Sequence, residues 1–245
     1  MCCIIFDNYF IFRIEFMVYL RIIALIFLGI MFFAQLLTAS WYDIVKKTGD
    51  NKKAFKHKII CTLIYVATFL LCAAISNNSM NRYVLFFGIA IALLFIHDIL
   101  EKHSKGFCQT ISNYLGAGAY VLISSALYFK NAELFDFRPF TPVIRIIIPV
   151  AICLICIICS LKFPKISIAI SSAYLLVNAV LLAISLQNAE AGLFQTASCA
   201  ITLGAVALFI SSVIPVFDKE DKKSLLRINT YCFGLMFISC SVAVL

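Results

Sequence analysis

The chain has 245 residues, of which 63% are hydrophobic and 13% are charged, and its net charge is +8. A soluble domain of this size cannot bury so many apolar side chains, so the composition excludes an ordinary soluble protein and predicts a membrane protein. The cations flank apolar runs and the sequence has no nucleic-acid-binding motif. The positive charge therefore indicates contact with anionic lipid headgroups and not with nucleic acid.

Residues 1–21 precede the first apolar run and are interpreted as a possible extension. Met17 is followed by Arg21 and then by the run, so it is an alternative start to Met1. No polar region or small-residue cleavage site follows the apolar stretch, and a removable signal peptide is not expected. Cys2 and Cys3 are candidates for acylation if residue 1 is the true start.

The apolar residues fall in eight runs, most of them long enough to cross a hydrocarbon layer of about 30 Å as a helix. Backbone polar groups in that layer must be satisfied within the segment, which favours helices. No linker is long enough to divide the chain. The sequence predicts one integral domain, residues 1–245, with an all-α fold, a polytopic membrane helical bundle with spans at about 22–41, 59–76, 83–100, 107–129, 143–161, 166–187, 191–214 and 226–244.

Lys and Arg residues are unevenly distributed among the predicted loops. Cytoplasmic loops are enriched in these residues, so their placement predicts orientation. With eight spans both termini are expected to face away from the cytoplasm. The cations that fall in the predicted cytoplasmic loops are Lys46, Lys47, Lys52, Lys53, Lys56, Lys58, Lys102, Lys105, Lys162, Lys165, Lys219, Lys222, Lys223 and Arg227.

The longest polar segment, residues 42–58, is predicted to be a basic loop containing Gly49 and Asp50. Pro149 and Pro215 are expected to bend or end their spans. Small residues on the spans allow helices to approach closely, although glycine is in any case common in spanning helices. The glycines in question are Gly88, Gly116, Gly118, Gly192 and Gly204.

Most of the eleven cysteines lie within apolar runs, where cysteine behaves as a small packing residue. Cys153, Cys156 and Cys159 have a spacing that resembles an iron–sulfur motif. They lack a fourth ligand and would lie at membrane depth, so neither a metal nor a cofactor is predicted.

Asp98 is the one carboxylate within the predicted apolar runs. An aspartate at the centre of a spanning helix costs roughly 2.5 to 3.5 kcal/mol, so an acid in the membrane indicates a functional site. The alternative is that Asp98, near the end of its run, reaches the headgroup layer or pairs with Lys102. The third and seventh predicted spans run in the same direction, so Asp98 shares a leaflet with Ser211 and Ser212. Tyr231 enters from that face.

Two regions of the chain resemble the YhhN-like lysoplasmalogenases, which are small eight-span membrane proteins. Their carboxy-terminal signature is similar to Gly204-Ala205, then Phe209-Ile210-Ser211-Ser212, then a tyrosine, here Tyr231, in the last span. The segment that ends in His97-Asp98 is similar to the Gly-Asp segment of their third span. The resemblance covers most of the chain from about residue 22, and the order and spacing of the spans carry it more than any single identity.

The resemblance implies a reaction, the hydrolysis of the vinyl ether of a lysoplasmalogen to a fatty aldehyde and a glycerophospho-base. The implied partner is a membrane lipid, a lysoplasmalogen or another lysophospholipid. Two carboxylates suit the reaction, because one delivers a proton while the other stabilises an oxocarbenium-like cation or activates water. By the resemblance, Asp98 and Ser212 occupy the catalytic positions, and the substrate-binding residues are Lys58, Ser125, Ser211 and Tyr231.

The chain departs from the family at the second acid, where Ser212 stands and cannot ionise at ordinary pH, although it can orient a water. His97 is a possible substitute as acid or base. Neighbouring helical positions point about 100° apart, however, and His97 is also placed to pair with Glu101. Three hypotheses follow: an active hydrolase, a relative that binds single-chain lipids without the chemistry, and a small transporter. The last is disfavoured because the spans lack broken helices and chains of ionisable groups.

Overall fold

The computed structural model describes residues 2–76, 82–101, 107–134, 163–189, 194–218 and 223–244, together with positions 147, 150–152, 154–156, 158 and 159. These residues form seven long helices, and the described positions between 147 and 159 are also helical. The long helices are α1 (Cys2–Lys47), α2 (Asn51–Ile75), α3 (Arg82–Leu100), α4 (Phe107–Leu134), α5 (Pro164–Ala189), α6 (Phe194–Phe217) and α7 (Ser224–Val244).

Six helical segments in the described part of the chain are long and apolar enough to cross a membrane: Ile22–Lys47, Asn51–Ile75, Tyr83–Leu100, Lys165–Leu182, Cys199–Phe217 and Ser224–Ala243. They confirm an all-helical, multi-pass integral membrane protein. The predicted span 107–129 falls on α4, and the predicted span 143–161 falls partly outside the described residues. Neither is among the six, so the count of eight stays a prediction.

Helix α1 extends beyond the predicted first span at both ends. It includes residues 2–21, so the predicted extension continues the same helix, and it ends at Lys47. The side chains of Cys2 and Cys3 lie outside the described ones, and their acylation stays a prediction. The predicted loop 42–58 is wrong in extent, because only residues 48–50 separate α1 from α2.

The turn between α1 and α2 uses two residues with distinct roles. Gly49 has a φ of +81°, a left-handed conformation that glycine adopts without steric cost. Asp50 caps α2, since its carboxylate accepts a hydrogen bond of 3.0 Å from the backbone amide of Lys53. Together they reverse the chain within three residues.

Helix α7 packs against α1, α2 and α6, while α3 packs against α2 and α4, and α5 against α4 and α6. Helices α6 and α7 approach each other closely at Gly204 of α6 and Gly234 of α7. A Cβ atom at Gly204 would lie 2.5 Å from Cγ1 of Ile238 and 2.8 Å from the carbonyl oxygen of Gly234. The prediction that Gly204 allows close helix packing is therefore confirmed.

The other predicted small-residue positions differ from one another. A Cβ atom at Gly88 would contact Phe69 at 3.3 Å, whereas one at Gly118 would meet no atom within 4 Å. Gly192, Pro149 and Cys153 lie outside the described residues. Pro215 lies inside α6, which continues to Phe217. The cysteines with buried side chains lie in helix interfaces: Cys61, Cys72, Cys156 and Cys232.

One end of the bundle collects the ends of α1, α3 and α6 and the starts of α2, α5 and α7. Polar contacts between these helices, described below, establish the arrangement. Most of the predicted cytoplasmic cations belong to this basic end. Five of them lie outside the described residues, namely Lys102, Lys105, Lys162, Lys219 and Lys222.

Candidate functional site

Asp98 lies in the basic half of the bundle with 2% of its surface exposed. Its Oδ2 atom accepts hydrogen bonds from three hydroxyl groups, those of Thr62 at 3.0 Å, Tyr65 at 2.9 Å and Tyr231 at 3.3 Å. The other oxygen, Oδ1, lies 3.2 Å from the Nζ atom of Lys58. The carboxylate is thus buried and in contact with four polar groups from α2 and α7.

Helical periodicity brings these donors to one place. Lys58, Thr62 and Tyr65 follow one another at intervals of four and three residues, so they share one face of α2. Asp98 and Glu101 share a face near the end of α3 in the same way. Asp98 thereby faces α2 on one side and the start of α7 on the other.

Glu101 extends the cluster toward the surface. Its Oε2 atom is paired with Lys58, and its Oε1 atom lies 3.0 Å from the Nη2 atom of Arg227. The Glu101 side chain is 39% exposed, whereas that of Lys58 is 14% exposed. The ammonium of Lys58, and after it the guanidinium of Arg227, hold the pKa of Glu101 well below its ordinary value. Two cations and two carboxylates therefore form one network across α2, α3 and α7.

The sequence suggested Lys102 as the partner of Asp98, but Lys102 lies outside the described residues. The structure instead gives Asp98 the cation Lys58, which comes from another helix. The resemblance singled out Lys58 and Tyr231 as substrate-binding residues, and both contact Asp98 directly. Thr62 and Tyr65 were not singled out, although their spacing from Lys58 was a usable signal.

His97 lies beside the same carboxylates. The side chains of His97, Asp98 and Glu101 each place one polar atom within 4.8 Å of the other two. A metal ion is not favoured here, since the ammonium of Lys58 already occupies the position between the two carboxylates. The Nδ1 atom of His97 lies 2.8 Å from the carbonyl oxygen of Ser112 on α4.

Two tyrosines contact the buried acid, and Tyr120 lies in its neighbourhood. The rings of Tyr65 and Tyr231 meet edge to face with their centroids 6.0 Å apart. The Tyr120 side chain of α4 interacts with that of Ser211 and lies within electrostatic range of Asp98. Ser211 also donates a hydrogen bond of 2.8 Å to the carbonyl oxygen of Leu208 in its own helix. Tyr120 therefore connects the predicted residue Ser211 to the neighbourhood of Asp98.

Two further predicted residues have partners elsewhere. The hydroxyl of Ser212 lies 2.6 Å from that of Ser172 on α5 and within hydrogen-bonding distance of carbonyl oxygens of α6. Ser125 donates to the carbonyl oxygen of Val121, 2.8 Å away in its own helix. Both are buried. Among the described contacts, none joins Ser212 or Ser125 to Asp98.

Asp43 is a second buried carboxylate that the sequence analysis missed. It is 4% exposed, accepts a hydrogen bond from the Ser224 hydroxyl at the start of α7, and has the Nζ atom of Lys47 2.6 Å from Oδ2. The predicted first span ended at residue 41, so Asp43 was assigned to a loop. The signal that would have included it is the continued apolar pattern of Trp41 and Ile44.

Comparison of the chain with protein-family models, with curated proteins and with solved structures finds no match.

Proposed function

We propose that the protein is a membrane-embedded hydrolase that cleaves the vinyl ether of lysoplasmalogens to a fatty aldehyde and a glycerophospho-base. The observation that supports it best is Asp98, an acid buried among apolar helices and bonded to Lys58, Thr62, Tyr65 and Tyr231. Buried ionisable groups of this kind are expensive in a membrane and mark functional sites. The family resemblance supplies the reaction.

Asp98 suits one part of this reaction in particular. Protonation of a vinyl ether carbon leaves an oxocarbenium-like cation, and an anion held in a dry site stabilises developing positive charge strongly. The four groups that contact Asp98 fix the orientation of its carboxylate. In this proposal Asp98 stabilises the cation, and another group delivers the proton.

The basic end suits the lipid headgroup. A lysophospholipid carries its phosphate at the membrane surface, and we propose that the half-exposed Arg227, which is paired with Glu101, faces that phosphate. The alkenyl chain would extend along the apolar helices toward the bilayer centre. This orientation brings the vinyl ether, close to the glycerol, to the level of Asp98 rather than to the middle of the bundle.

A second candidate is a protein that binds single-chain lipids without cleaving them. The observation in its favour is Ser212, which stands where the family has a second acid and whose hydroxyl contacts Ser172 and helix carbonyl groups. A serine in such contacts does not supply charge to the reaction. This candidate predicts lipid binding without release of aldehyde.

The test compares two substrates and two protein variants. Purified protein receives a lysoplasmalogen or its saturated ether analogue, and the release of long-chain aldehyde is measured. We expect aldehyde from the vinyl ether alone, and Asp98→Asn should lower the rate by about 100-fold or more, because a preorganised charge is lost.

Asp43→Asn is the matched control. It also removes a buried carboxylate that is paired with a lysine and a serine at the same end of the bundle, and it should keep the activity. Gel filtration of each variant verifies that it is folded. Lipid binding with no aldehyde from the wild-type protein would favour the second candidate, and equal loss of activity in the two variants would indicate a structural effect.

A further inference from the structure

We infer that His97 is the proton donor of this site, an assignment that rests on the proposed hydrolase. The vinyl ether reaction requires an acid, and both oxygens of Asp98 are already engaged by four neighbouring groups. Glu101 is paired with two cations. Of the three polar side chains at the end of α3, this leaves the imidazole.

The orientation of the His97 ring is fixed by α4. Its Nδ1 atom lies 2.8 Å from the carbonyl oxygen of Ser112 and 2.8 Å from the Ser112 hydroxyl oxygen, and this hydroxyl lies 3.1 Å from the His97 carbonyl oxygen. A carbonyl oxygen only accepts hydrogen bonds, so the Nδ1 atom carries a hydrogen. The Nε2 atom is then the position that gains and loses a proton.

A glycine on α4 makes room for the ring. A Cβ atom at Gly116 would lie 3.2 Å from both the Cε1 and the Nδ1 atoms of His97, which is tighter than normal packing. The imidazole therefore lies directly against the backbone of α4. Ser112 and Gly116 are one helical turn apart, so a single face of α4 both binds and accommodates the ring.

The charged groups around the ring suit a proton donor. The carboxyl groups of Asp98 and Glu101 approach His97, with polar atoms of the three side chains within 4.8 Å of one another. Lys58 from α2 and Arg227 from α7 carry positive charge, but each is paired with one or both of these carboxylates. From α4, the residues described against the ring are Ser112 and Gly116, which are uncharged.

The proposed reaction has three steps. The Nε2 proton of the imidazolium passes to the β-carbon of the vinyl ether, whose π electrons form the new C–H bond and leave a cation at the α-carbon. Water adds to the α-carbon and gives a proton back to Nε2. The hemiacetal hydroxyl then loses its proton as the bond between the α-carbon and the glycerol oxygen breaks, the glycerol oxygen takes up a proton, and the fatty aldehyde is released.

The experiment measures kcat and KM for lysoplasmalogen in three variants. His97→Gln should lower kcat by about 100-fold or more while KM changes little, because general acid catalysis of this kind contributes roughly that amount. In His97→Ala, added imidazole should restore part of the lost kcat.

His57→Gln is the matched control. His57 stacks on Trp41 with the ring centroids 6.3 Å apart, and it belongs to no contact described for Asp98. The kcat of His57→Gln should therefore equal that of the wild-type protein. A wild-type kcat in His97→Gln, with Asp98→Asn inactive, would overturn the assignment of His97 alone. Absence of aldehyde from the wild-type protein would overturn the hydrolase and the assignment with it.

Discussion

Gln35 lies in α1 with none of its surface exposed, and the partner described for its amide group is the Cys61 thiol, a weak hydrogen-bonding group that leaves the amide poorly satisfied. A poorly satisfied buried amide costs roughly 1 to 3 kcal/mol in protein mutational data. Removing the amide while keeping the length of the side chain should therefore stabilise the fold.

We expect Gln35→Met to increase the free energy of unfolding by about 1 kcal/mol, measured by thermal unfolding in detergent. The matched control is Gln109→Met, since Gln109 is exposed on α4 and its replacement should change stability by less than about 0.5 kcal/mol. A decrease in stability for Gln35→Met would show that the amide does have a stronger partner, such as a bound water or a lipid oxygen.

The sequence identified the centre of the site but not its surroundings. Asp98 stands out because a lone acid in an apolar run is rare, and no tertiary information is needed to see it. The roles of Lys58 and Tyr231 came from the family resemblance. Thr62 and Tyr65 are ordinary residues of a spanning helix until the position of α3 against α2 is known.

His97 shows a limit of reasoning from one helix. Adjacent residues point about 100° apart, which suggested that His97 and Asp98 face different neighbours. They do bind different helices, since His97 contacts Ser112 on α4 and Asp98 contacts α2 and α7. The side chains of His97, Asp98 and Glu101 nevertheless come together at the end of α3, where one polar atom of each lies within 4.8 Å of the other two.

At the scale of helices, the sequence predicts the presence of a helix better than the residues at which it begins and ends. Apolar patterning ends where lysines begin, so the segment 42–58 was assigned to a loop. Lysine is a good helix former, however, and the helix continues until a residue breaks it. Gly49 and Asp50 mark the true turn. Asp43 was missed for the same reason.

The crossing of α6 and α7 provides a prediction about helix packing. Gly204→Ala would place a methyl group against Ile238 and against the backbone of Gly234, at 2.5 and 2.8 Å. Backbone atoms cannot move aside like the end of a side chain, so we expect a loss of about 1 to 3 kcal/mol in thermal unfolding.

Gly118→Ala is the control for this crossing, because a Cβ atom there meets nothing within 4 Å. Replacing a glycine inside a helix by alanine at such a position should leave stability unchanged or raise it by roughly 0.5 to 1 kcal/mol. Equal stability of the two variants would contradict the close approach of α6 and α7.

At the scale of the whole molecule, polar contacts between helices cluster at the basic end of the bundle. Asp43 and Ser224 join α1 to α7, and the network of Lys58, Asp98, Glu101 and Arg227 joins α2, α3 and α7. Apolar packing of helices in lipid gains little from the hydrophobic effect, so polar contacts have more influence on which helices associate. The same network therefore positions the candidate site and holds the bundle together.

This network should make the stability of the bundle sensitive to acid. The pKa of Glu101 lies well below its ordinary value of 4.5 because of the Lys58 ammonium and then the Arg227 guanidinium. A carboxyl group with a lowered pKa stabilises the fold above its unfolded pKa, and this contribution is lost as the pH falls below that value. The wild-type protein should thus lose thermal stability below about pH 4.5 more steeply than Glu101→Gln, in which that contribution is absent at every pH. Arg227→Gln removes one cation and keeps the carboxyl group. The thermal stability of this variant should therefore begin to fall at the same pH as that of the wild-type protein, and the total decrease should be smaller. Parallel pH profiles of the wild-type protein and Glu101→Gln, measured by thermal unfolding in one detergent, would show that Glu101 is not held by these cations.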